Sequence, residues 1–172
     1  MEMKKQNHRI IKVAILTDEP LGWKSGKQYF PIILDGYSWA GEKNLYTINT
    51  SFLSDKEIKQ DKLVNDSFDV LLIPGGGVGD GHCIMKGMSF IPGVKKWKKN
   101  IKRFVKRGGG CIGICGGAAL VTDLITDDCK KKFLETLYAH SSLHISTVKS
   151  YYPSLSFPIF YPKQKTFPER VG

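Results

Sequence analysis

Three short apolar runs constrain this chain more than any other feature: RIIKVAIL (9–16), FDVLLI (68–73) and CIGIC (111–115). Apart from Lys12 the first is nearly continuous and β-branched, the signature of a strand covered on both faces rather than one alternating between core and water. LYTINT (45–50) reads as a further strand, and LHISTVKS (143–150) as a late one. Helical patterns fall between them. Phe30, Ile33, Leu34 and Tyr37 mark one helix, in which Pro31 is tolerable only near the first turn. Ser54 and Glu57 stand at the spacing of a capping box, which predicts a short helix after residue 54. Val94, Trp97, Ile101, Phe104 and Val105 form the apolar stripe of a helix over about 92–107, ended by Gly108 to Gly110. GGAALVTDLI begins another helix directly after CIGIC, and Phe133, Leu134, Leu137 and Tyr138 suggest one more. Parallel strands need crossovers, so strand–helix alternation of this kind predicts a mostly parallel sheet with helices on both faces.

With 172 residues the chain has enough material for one domain with a real core. We divide it into an α/β domain, 1–150, and a tail, 151–172, holding four of the eight prolines and six aromatics. Such a tail reads as a loop, an arm packed by its aromatics, or the start of a truncated C-terminal portion. The basic-then-apolar N-terminus has the order of a signal peptide, but Lys12 interrupts it and no small-residue cleavage site follows. No apolar run approaches a membrane span. Cytoplasmic location is expected, with the four cysteines reduced, because Cys111 and Cys115 have neither redox-pair nor zinc spacing. Nothing calls for a metal or other cofactor.

A net charge of +10 invites a nucleic-acid reading. Eight of the basic residues lie between Lys95 and Arg107, on the face of the predicted helix opposite its apolar stripe. Trp97 and Phe104 belong to that stripe and are unavailable for base stacking, so the basic helix 95–107 is read as a solvated surface and no nucleic acid is expected. The expected partner is a small-molecule substrate, with room for a homo-oligomer or a partner domain.

The chemistry concentrates at the glycines. In open α/β sheets ligands bind beyond the carboxyl ends of the strands, where both PGGG (74–77) and CGG (115–117) fall. Gly113-Ile114-Cys115-Gly116-Gly117 has the pattern of a nucleophile elbow, in which glycines two residues either side let chain segments approach. A helix N-terminus following Cys115 would favour the thiolate. The Gly116 amide and the bare amides of the PGGG loop would hold an oxyanion. A buried structural cysteine would fit the same pattern. Phosphate binding is disfavoured, since no P-loop lysine follows.

The pairing of LLIPGGG with the later GGGCIGICGGAAL resembles the class I glutamine amidotransferase-like superfamily. Within it, the resemblance is closest to the amidotransferase-like domain at the N-terminus of eukaryotic biotin–protein ligases and in standalone microbial relatives. It spans roughly residues 9–150 and is specific at those two motifs. It implies a flavodoxin-like three-layer α/β fold, Cys115 at the nucleophile position, and Gly76, Gly77 and Gly116 near the oxyanion site. In the active amidotransferases this machinery releases ammonia from glutamine through a thioester. Their catalytic histidine and carboxylate, commonly H-x-E from a late strand, have no counterpart here. His82, His140 and His144 remain as weaker candidates, and His8, ahead of the first strand, as a poor one. Two readings follow: a cysteine hydrolase or amidotransferase-like enzyme, or a binding or regulatory module that kept the pocket without the base.

Overall fold

The computed structural model describes residues 7–17, 24–74, 93–114, 116–126, 143–146 and 149–152. Its centre is β1 (Asn7–Leu16), which pairs in parallel with β3 (Asn44–Leu53) on one side and β4 (Val70–Ile73) on the other. β5 (Gly110–Gly113) continues the sheet in parallel beyond β4, and β2 (Ser38–Ala40) adds an antiparallel edge beside β3. The order is therefore β2-β3-β1-β4-β5. The expected α/β class and mostly parallel sheet are both present.

The apolar runs are buried as their composition requires. Along β1, Ala14 and Leu16 enter one core together with Ile58, Trp97, Ile101 and Phe104, whereas Val13 and Ile15 enter another with Leu72. The first core lies under α2 (Asp55–Lys59) and α3 (Val94–Lys106); against the second packs Phe30 of α1 (Lys24–Leu34).

Local chemistry sets the helix ends. Ser54 Oγ accepts the Glu57 N–H at 3.2 Å and the Glu57 carboxylate accepts the Ser54 N–H at 3.0 Å, the reciprocal box read from the sequence. The bond from the Ser54 N–H first, and then that from Lys62 Nζ at 3.1 Å, hold the Glu57 carboxyl below its ordinary value. At the end of α3 the Gly109 N–H reaches the Phe104 carbonyl and the Gly108 N–H reaches that of Val105, with Gly108 at φ +98°. This is a Schellman motif, which a glycine in the left-handed region makes possible. Asn100 is buried on α3 and donates to the Ile58 carbonyl at 2.7 Å, tying α3 to α2.

Four elements differ from the sequence reading. Pro31 sits in the last turn of α1 rather than the first, where only a short stretch of helix follows the ladder bond it cannot make. β2 has no sequence signature. After CIGIC the helix is only α4 (Gly116–Val121), and the chain then enters β6 (Asp123–Thr126), which pairs in parallel with β7 (Lys149–Tyr152) in a separate two-stranded sheet. Residues 143–146, expected to open a strand, are irregular, while β7 takes in Tyr151 and Tyr152, the first residues of the expected tail. The helix proposed around 133–138 lies outside the described residues.

Candidate functional site

Taken in chain order, the four parallel strands β1, β3, β4 and β5 stand in the spatial order second, first, third, fourth. Connections leave β1 and β4 in opposite directions, so the switch point of this sheet lies between their carboxyl ends. Leu16 and Thr17 close β1 there, both buried, and Ile73 and Pro74 close β4.

β5 ends one strand further on. Ile73 and Gly113 are register partners, and the Ile114 N–H donates to the Ile73 carbonyl at 3.0 Å, carrying the pairing one residue past the strand. The Gly117 N–H then bonds to the Ile114 carbonyl at 2.9 Å, and α4 is under way. A Cβ on Gly113 would fall well inside 3.0 Å of the Gly117 carbonyl oxygen and of Val121 Cγ2. A Cβ on Gly117 would fall as far inside that limit against the Ile73 carbonyl oxygen. Both positions two residues from Cys115 therefore admit only glycine without movement of backbone. The Ile73 carbonyl is the part of this corner that sequence reasoning missed. It belongs to the neighbouring strand, and its one trace in the sequence is the glycine at 117.

Cys115, Gly76 and Gly77 lie outside the described residues, as do His82 and His140. Gly116 is the first residue of α4. That helix has six residues, so it offers local N–H groups rather than the macrodipole of a long helix. Leu120 and Val121 anchor it in the core, and their carbonyls accept N–H groups from Leu143, Ile145 and Ser146. His144 thus stands by the carboxyl end of α4, opposite Gly116, exposed and at φ +46°. His8 is exposed near the start of β1 and bonds Thr47 Oγ1 at 2.8 Å, about 26 Å along the strand from its carboxyl end. Cys111 packs against the α3 side of the core, and burial pushes its thiol up to about 12. It is a core thiol, not a nucleophile.

An open groove of about 410 Å³ runs between Asp61 and α3, lined by Lys95, Lys96, Lys99, Asn100 and Arg103. Asp61 pairs with Lys96 at 3.2 Å and with Arg103, and these cations, Arg103 first, hold its carboxyl below the ordinary range. Among the described residues no three His, Cys, Asp or Glu side chains gather as a metal-ligand set, and no helix is long and apolar enough to cross a membrane. No family model matches the chain, and no curated protein or solved structure matches it.

Proposed function

We propose that this is a cytoplasmic cysteine-nucleophile hydrolase or amidotransferase-like protein on a flavodoxin-like three-layer framework, acting on a small amide or related acyl compound. The observation that carries the reading is the corner around Cys115. Gly113 and Gly117 are pressed against backbone on both sides of it, which is the steric reason a nucleophile elbow needs glycine at those positions. The Cys115 thiolate attacks the substrate carbonyl carbon, and the new C–S bond pushes the carbonyl electrons onto oxygen. The Gly116 amide, with those of Gly76 and Gly77, receives that oxyanion. Collapse expels the amine, which takes from water the proton that the thiol gave up on ionising, and leaves a thioester, which water hydrolyses to the acid and the free thiol.

A glutaminase assay measuring ammonia release from wild type and Cys115→Ala tests turnover. Release by wild type alone is expected, and equal rates would remove the enzyme. Alkylation by iodoacetamide at pH 6, mapped by mass spectrometry, reads the thiolate directly, with Cys115 expected to react ahead of Cys83, Cys111 and Cys129. The second reading, a binding module without catalysis, draws on the placement of His8 and His144 away from the start of α4. Fast alkylation of Cys115 without ammonia release would select it.

A further inference from the structure

The surplus charge of this protein sits on one helix. α3 and its capping residue Arg107 carry eight lysines and arginines and no acid. Set those eight aside and the other 18 basic residues of the chain face 16 acidic ones, so most of the +10 belongs to this segment. A helix that only meets water interleaves the two signs, and its first turn favours acids over cations such as Lys95 and Lys96. Here like charges recur four residues apart, at 95 and 99, 98 and 102, 99 and 103, and 102 and 106, which weakens a helix. Burial first, and then the charge of Lys102, push the Lys98 ammonium below its ordinary value.

We infer that the exposed face of α3 binds the phosphate backbone of duplex DNA without regard to base sequence. Lys95, Lys99, Lys102 and Lys106 are exposed and follow the four-, three- and four-residue steps of one line along the helix. By the same helical spacing Lys96, Arg103 and Arg107 flank that line on one side and Lys98 on the other. Cations on both flanks suit phosphate rows on two sides, as at the rims of a major groove about 12 Å wide, which admits a helix about 10–12 Å across. The open groove lined by Lys95, Lys96, Lys99 and Arg103 leaves room for one of those rows, and the Asp61 carboxylate within it is already paired with Lys96 and Arg103. Charge density agrees: eight cations over the roughly 18 Å from Lys95 to Arg107 give one per about 2.3 Å, against one phosphate per about 1.7 Å of duplex. Other anionic partners fit less well. Trp97, Ile101 and Phe104 are committed to the core, so α3 has neither an apolar stripe to sink into a lipid surface nor rings to stack on the bases of a single strand. Missing rings count against single strands only; phosphate contact needs none. Asn100, the residue of α3 suited to reading a base edge, is buried on the Ile58 carbonyl.

Fluorescence anisotropy of the full chain on a labelled duplex of arbitrary sequence, about two turns long, tests the inference between about 50 and 200 mM salt. Six of the eight cations are exposed. With those six engaged, log affinity should fall against log salt with a slope of about −5, or about a thousandfold over that range. Lys99→Glu with Lys102→Glu, both at exposed positions, should weaken binding at least tenfold at the lowest salt and flatten the slope by about 2, with no fall in melting temperature. Arg9→Glu with Lys43→Glu makes the same change in net charge at exposed positions outside α3, and should alter the affinity by less than about threefold. Absence of binding at the lowest salt, indifference to the α3 pair, or an equal loss from the control pair overturns the inference. So does tighter binding to duplex RNA or to phosphatidylserine vesicles at equal phosphate concentration.

Discussion

Gly117→Ala is the sharpest probe of the corner between β5 and α4. The new methyl carbon would overlap the Ile73 carbonyl oxygen, and that oxygen has little freedom to retreat, since it accepts the Ile114 N–H and ends the β4–β5 pairing. Overpacking of a closed site costs about 1–3 kcal/mol, and loosening the Ile114 bond adds about 1 kcal/mol. The expected loss is thus about 2–4 kcal/mol, a large part of the stability of a domain this size. At about 2–4 °C per kcal/mol it lowers the melting temperature by about 4–16 °C. Urea titration should show a fall in midpoint with an unchanged slope, as befits altered stability without altered exposure. Gly108→Ala is the control: φ is +98° but nothing lies within 4 Å of its Cβ, so it pays left-handed strain alone, about 1–2 kcal/mol. If Gly117→Ala melted with wild type, or no lower than Gly108→Ala, then strand, bend and helix do not meet as described, and the steric case for an elbow at Cys115 fails with them.

Three further outcomes are expected. Ser54→Ala should cost about 1 kcal/mol by removing one arm of the capping box; because the folded Glu57 carboxyl sits below its ordinary 4.5, the contribution is whole above that pH and should fade as acid carries the protein down through the lowered value, a loss visible in urea midpoints against pH and smaller in the variant. Cys111 runs the other way: its folded thiol holds its proton up to about 12, so stability is intact below about 9 and falls between those values by at most about 1.4 kcal/mol per pH unit, a slope that Cys111→Ala should remove in alkaline denaturation curves. Asn100→Ala should destabilise by about 1 kcal/mol in thermal melts, since it removes the side-chain bond that ties α3 to α2 while the Ile58 carbonyl keeps the Asp61 N–H at 3.1 Å, and a melt identical to wild type would refute this.

Features decided within a few residues were legible in the chain. RIIKVAIL, with apolar side chains at 13 to 16 in both directions, could hardly be other than a central strand, and the stripe of Trp97, Ile101 and Phe104 stopped by glycines could hardly be other than a helix with a left-handed cap. Features decided by distant partners were not. Asp123 to Thr126 looks like the continuation of a helix until Lys149 to Tyr152 comes alongside, and pairing then outweighs a weak local preference. LYTINT lengthens to Leu53 because β1 offers a partner at each position along it. Ser38 to Ala40 form a strand because β3 lies beside them. At the candidate site the glycines at 113 and 117 could be singled out by their spacing from Cys115, but the reason for the second, a carbonyl on the adjacent strand forty-four residues earlier, is a property of the assembled sheet.

That shared carbonyl also makes the corner a mechanical junction. The end of β4, the start of the bend and the first turn of α4 lean on one oxygen atom, so none of the three has room to shift alone. A pull on the chain at Pro74 would therefore bear directly on the peptide against which the segment carrying Cys115 is packed.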